Sequence, residues 1–135
     1  MTISLAKTSD MPANVETLRD AMPDFAKDIK LNLGSVLSPE GAPDLSQAQI
    51  HLVALASAYA TKNPAIISAL ESESVFDDAA KNAAKAAASI MAMNNIYYRY
   101  VHLSNDEEIK KLPTRLRMNI IGNPGIRSEE RRVGK

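Results

Sequence analysis

Hydrophobic positions along this chain recur at helical rather than alternating spacing, and turn residues divide them into segments. Residues 1–13 have no clear period and read as an extended or frayed arm. Asn14 suits the N-cap of a short helix from Val15 to Ala21. Pro23, with no N–H to lose, suits the first position of a second helix. In that helix Phe25, Ile29, Leu33 and Val36 form one apolar stripe, and Asp24 lies in the first turn, where the helix dipole favours negative charge. It should end near Leu37, ahead of the turn residues SPEGAPD. Ser46 and Gln49 have the spacing of a capping box. The helix they open should reach about Lys62, with Ile50, Val53, Ala54, Ser57, Ala58 and Thr61 on one face. Pro64 starts another, with Ile66, Ile67 and Leu70 on its buried side and the polar ESES of 71–74 as its break.

The next segment is the longest. From Asp77 to Leu103 there is neither Gly nor Pro, and alanine dominates the first half, so helix propensity is high. At ~1.5 Å per residue such a helix reaches roughly 38 Å. Small alanines let neighbours approach closely, and Ile90, Met91, Met93, Ile96 and Tyr97 are expected to anchor its packing at the centre of the fold. SNDEE ends it; Asp106 to Leu112 can form one short turn of helix, and a last helix is expected from Thr114 to Ile121, stopped by GNPG. There is no convincing strand and no short-period repeat, so the fold class is all-α.

Composition narrows the chemistry. Of 135 residues, 45% are hydrophobic and 24% charged, the balance of a globular domain with a real core. Sixteen basic residues meet sixteen acidic ones, which argues against a nucleic-acid binder. No apolar run is long enough to cross a bilayer, and MTISLAKTSDMP lacks the apolar core of a signal peptide, so a cytoplasmic protein is expected. There are no cysteines and only two histidines, His51 and His102. Disulfides, thiolate metal sites and cysteine nucleophiles are therefore excluded from these residues, and no metal or cofactor is expected. Nucleotide-binding glycine motifs, GxSxG and HExxH are all absent.

His102, beside Tyr98, Arg99 and Tyr100, could act as a general acid or base, but no nucleophile or carboxylate partner stands near it in sequence. His51 reads as a packing or partly exposed ring. Asp77-Asp78 and Glu107-Glu108 read as helix N-terminal charge rather than metal ligands, because adjacent residues on a helix do not face one another. Met91 and Met93 read as core. No catalytic residue is assigned. The most specific constellation is MAMNNIYYR (91–99) followed by LRMNIIGNPGI (116–126). Asn94, Asn95, Arg99, Arg117 and Asn119 are more polar groups than an apolar seam holds; buried, they must satisfy one another or the helix ends. A polar packing network is the structural reading, a direct role in chemistry the alternative.

These motifs, with PDFAKDIKLNLGSV (23–36) and ATKNP (60–64), resemble the AhpD-type alkylhydroperoxidases of the wider carboxymuconolactone-decarboxylase-like superfamily. The similarity runs from roughly residue 14 to 126, so residues 1–126 are expected to form an AhpD-like N-terminal helical region. The resemblance implies an all-α bundle of two similar halves, commonly trimeric. It also implies antioxidant activity: electrons pass from a lipoylated adaptor protein to a partner peroxiredoxin, with weak peroxidase activity besides. The family's catalytic CxxC, following His and upstream Glu belong to its second half, and none of them matches a position in this sequence. After Ile126 the pattern departs into RSEERRVGK, residues 127–135, a charged tail with four positive and two negative groups that resembles translated adapter sequence and is expected to be disordered or loosely attached. The leading expectation is an AhpD-like oxidoreductase scaffold that is inactive alone. The alternatives are a non-catalytic helical interaction module and a protein with carboxymuconolactone-decarboxylase-like chemistry. Whether the chain is itself an enzyme stays open.

Overall fold

The computed structural model describes residues 14–73 and 76–123. Among them, every regular element is helical: α1 (Val15–Asp20), a 3-10 turn (Asp24–Ala26) leading into α2 (Lys27–Val36), α3 (Gln47–Thr61), α4 (Pro64–Glu73), α5 (Asp78–Leu103), α6 (Glu107–Lys111) and α7 (Asn119–Gly122). The class is all-α. The arm of residues 1–13 and the tail of 127–135 lie outside the described residues.

Local side chains set most boundaries. Asn14 and Thr17 form a reciprocal capping box that opens α1, and Ser46 and Gln49 form another that opens α3. Asp77 accepts the Ala80 N–H and opens α5. α3 stops at Lys62, whose φ of 54° is the one left-handed non-glycine conformation among the described residues. Asn63 Oδ1 then accepts the Ala65 N–H at 3.0 Å and Pro64 occupies the first position of α4, where its missing N–H costs nothing. α3 and α4 thus form an antiparallel hairpin, with α5 packed along α3 and α1 against α4.

Several expectations are corrected. Pro23 precedes a 3-10 turn, not a continuous α-helix, and the first half of the stripe it was to bury faces solvent: Phe25 is 93% exposed and Ile29 61%. The segment 71–73 does not break α4 but forms its last turn, and its glutamates tie the fold together. Glu73 accepts the Val15 N–H at 2.9 Å, giving a carboxylate to a first-turn donor of α1 that no intrahelical carbonyl can reach. The last helix is only Asn119–Gly122; Thr114–Arg117 is irregular, following Pro113.

The largest correction concerns the core. Among the described residues its buried members are Val15, Ile50, Leu55, Ala58, Ala69, Ala80 and Ala84, and Leu55 is the one bulky side chain with no exposure. On α5 the buried positions are alanines; Met91 and Ile96 are 51% and 75% exposed, and Ile90, Met93 and Tyr97 are half-buried. The reason is length. α3 has 15 residues, about 22 Å, and α5 has 26, about 39 Å, so α3 can cover little more than half of its neighbour. The C-terminal half of α5 projects beyond α3, and its large side chains have no equal partner.

Candidate functional site

The projecting half of α5 carries the polar constellation. Met91, Asn94, Asn95, Tyr98, Arg99 and His102 line one shallow, open face, since positions three and four apart share a side of a helix. Asn94 Nδ2 lies 3.3 Å from Met118 Sδ, which docks the segment before α7 onto α5. Asn94 Oδ1 is buried without a hydrogen-bond partner, and Tyr97 and Tyr98 meet edge to face with centroids 5.3 Å apart. The polar network expected from the sequence does not assemble. Asn95, Arg99, Arg117 and Asn119 are exposed, so water solvates them and they need no mutual pairing. His102 is exposed on this face, with no carboxylate or nucleophile beside it in the lining. His51 is half-buried and lies 2.7 Å from the Gln47 side-chain amide, one helical turn away.

The acidic pairs behave as helix starts. Asp77 caps α5 and Asp78 sits in its first turn; Glu107 and Glu108 occupy the first turn of α6 and pair with Lys110 and Lys111 at 3.0 and 3.7 Å. Among the described residues, no group of three or more His, Asp or Glu side chains is arranged to hold a metal ion. None of their helices is long and apolar enough to cross a membrane.

A second polar cluster was not visible in the sequence. The Tyr59 hydroxyl on α3 donates to Glu71 Oε1 on α4 at 2.6 Å, and Lys85 of α5 places its ammonium 5.2 Å from the centre of the Tyr59 ring. Three helices thus meet at one phenol. Burial, the hydrogen bond to Glu71 and the charge of Glu71 together push the Tyr59 pKa well above its ordinary 10.0. The phenol is a fixed neutral donor, a structural clamp rather than an acid at neutral pH. Its only sequence signal is the twelve-residue separation across the Asn63-Pro64 turn, which has meaning once the hairpin register is known.

The third feature is an apolar groove of roughly 250 Å³ between α2, α3 and α4. The α3 face expected from periodicity (Ile50, Val53, Ala54, Ser57, Ala58 and Thr61) forms its floor, and Leu33, Val36 and Leu37 from α2 and Ile66 and Leu70 from α4 form its walls. Ile50 and Ala58 are buried, but Val53 is 57% exposed at the mouth. Ser57 and Thr61 donate their hydroxyls to the carbonyls of Val53 and Ala58, so both donors are satisfied within their own helix.

No family model matches the chain. Curated relatives do. Over 114 residues the chain is 55% identical to the alkyl hydroperoxide reductase AhpD of Coxiella burnetii (strain RSA 493 / Nine Mile phase I), covering 83% of this chain and 64% of that relative. It is 49% identical over 115 residues to the alkyl hydroperoxide reductase AhpD of Rhodospirillum centenum (strain ATCC 51521 / SW), covering 84% and 60%. It is 46% identical over 114 residues to that of Rhodopseudomonas palustris (strain BisA53), covering 83% and 61%. The chain therefore spans a little under two thirds of the length of the curated relatives it matches.

Proposed function

This chain belongs to the AhpD-type alkyl hydroperoxide reductase family, and we propose that its 135 residues supply the helical scaffold of such a reductase without supplying its redox centre. The carrying observation is the identity of 46–55% along more than four fifths of the chain, together with a cysteine count of zero. The reading assigns these residues to a reductase of cytoplasmic antioxidant defence that works as a homo-oligomer with a lipoylated adaptor and a partner peroxiredoxin, and gives them no electron relay of their own.

Reduction of an alkyl hydroperoxide to the alcohol and water needs two electrons and two protons. A dithiol supplies both and becomes a disulfide, one thiolate attacking and the second resolving the product. With no cysteine, these residues hold neither sulfur. The six methionines cannot replace them, because a thioether has no proton to lose and forms no disulfide. His102 and the surrounding tyrosines can bind a polar ligand but carry no electron pair through a cycle.

The test incubates the purified 135-residue polypeptide with a reduced lipoyl donor, a peroxiredoxin and an alkyl hydroperoxide. The expected result is donor consumption equal to a blank without the polypeptide; consumption above it overturns the reading. A second reading, a non-catalytic helical interaction module, is favoured by one specific observation: Phe25, Ile29, Ile96 and Ile121 are all more than 60% exposed, far more apolar surface than a monomer needs.

A further inference from the structure

Neither polar end of the Asn94 side chain has an ordinary hydrogen bond. Its Oδ1 is buried with no partner among the described residues, and its Nδ2 donates at 3.3 Å to the thioether sulfur of Met118, a weak acceptor. The amide gains nothing by turning over, because Oδ1 would then set its lone pairs against those of the sulfur. Met118 belongs to the irregular stretch between α6 and α7, where half-buried Leu116 and Met118 alternate with exposed Arg115 and Arg117. Thr114 Oγ1 meets the Tyr97 hydroxyl at a long 3.5 Å and Met118 meets Asn94, so the stretch runs antiparallel to the distal half of α5. Both contacts that tie it there are weak.

We propose that Met118 is a site of oxidation by hydroperoxides, and that its sulfoxide fastens this stretch to α5 through Asn94. In the step, a lone pair of Sδ attacks the terminal oxygen of an alkyl hydroperoxide. The O–O bond breaks, and its electron pair stays on the alkoxy oxygen. That oxygen takes up the hydroperoxide's proton and leaves as the alcohol. Sulfur is oxidised by two electrons and the hydroperoxide is reduced by two. Each chain accepts one oxygen at this sulfur and stops, so the event is a mark and not a turnover.

The direction of the effect follows from the donor. Methionine oxidation ordinarily loosens a structure, because it puts a polar group among apolar ones. Here the Asn94 N–H already faces the sulfur that will bear the oxygen, and it exchanges a weak acceptor for a strong one. Met118 is half-buried, within reach of a small hydroperoxide. Met91, 51% exposed on the neighbouring face, has no hydrogen bond to its sulfur among the described residues and serves as an internal reference. The reductase reading is not needed for this step, which uses no cysteine, electron donor or partner protein.

Trypsin cleavage of the Arg115–Leu116 bond reads the attachment, because Arg115 is exposed and the bond is cut as the stretch lifts from α5. The wild-type chain is treated with tert-butyl hydroperoxide until Met91 is fully converted, then mapped by mass spectrometry and digested. One added oxygen is expected on Met118, with cleavage slowed about fivefold, the effect of gaining one ordinary hydrogen bond. Asn94→Asp keeps the shape but cannot donate, so Met118 should oxidise there with no slowing; Met118→Leu should also show none. The proposal is overturned by a Met118 that stays intact when Met91 is fully oxidised, or by cleavage that is unchanged or faster after Met118 is oxidised. Slowing that persists in Asn94→Asp or in Met118→Leu overturns it too.

Discussion

Replacing Leu55 by alanine tests how this thin core works. Leu55 lies in the middle of α3, the helix against which both α4 and α5 pack, and it has no solvent exposure. Truncation removes three buried carbons, about 2.4 kcal/mol of transfer free energy at ~0.8 kcal/mol per methylene. A cavity term adds to this according to how far the surroundings collapse, giving about 2.7–5 kcal/mol for Leu→Ala in well-packed cores. Here the buried side chains of α4 and α5 are Ala69, Ala80 and Ala84, which have no rotamers with which to fill a gap. Only movement of whole helices can close it, so we expect a loss of about 3–4 kcal/mol. For a domain of this length at ~0.05 kcal/mol per residue, total stability is about 7 kcal/mol, and the substitution removes roughly half. Urea unfolding followed by circular dichroism should show the midpoint falling by roughly 2 M, taking a slope of about 2 kcal/mol per molar. Leu55→Met, which conserves volume, should cost less than about 1.5 kcal/mol. A midpoint shift below about 0.5 M for Leu55→Ala, with the slope unchanged, would refute the reasoning.

The Tyr59–Glu71 clamp predicts an alkaline limit. The native state holds the phenol neutral above its ordinary pKa of 10.0, while the unfolded chain releases the proton there, so Tyr59 contributes its stability in full below about pH 10 and loses it as pH rises further. Urea midpoints at pH 8, 10 and 11 should fall more steeply for the wild type than for Tyr59→Phe, by up to ~1.4 kcal/mol per pH unit; parallel declines would count against the clamp. Gly41 is a packing requirement: a Cβ there would lie 2.0 Å from the backbone oxygen of Ser35, at the end of α2. Gly41→Ala should cost about 1–3 kcal/mol in thermal or urea unfolding, and a neutral result would show that the turn after α2 shifts freely.

The all-α class and most helix starts were legible in the sequence because they depend on neighbours in the chain. Caps join residues two or three positions apart, as in Asn14 with Thr17, Ser46 with Gln49 and Asp77 with Ala80, and a run without Gly or Pro propagates a helix whatever lies beside it. Family membership was legible for the same reason: order and spacing of motifs survive in one dimension. Which faces are buried was not. α3 has neighbours on more than one side and is apolar around much of its circumference, so periodicity picked the groove-lining face and missed Leu55. Phe25 and Ile29 and, on the distal half of α5, Ile96 have the spacing of a core but stay exposed, because burial depends on the reach of the opposing helix, and α3 is too short to cover α5. For the same reason Asn95, Arg99, Arg117 and Asn119 form no network: their polarity is answered by water. The Tyr59–Glu71 bond and the Glu73 contact to α1 both follow from hairpin register and helix length. The one-dimensional pattern specifies local conformation; only packing in three dimensions specifies which surfaces remain to be covered.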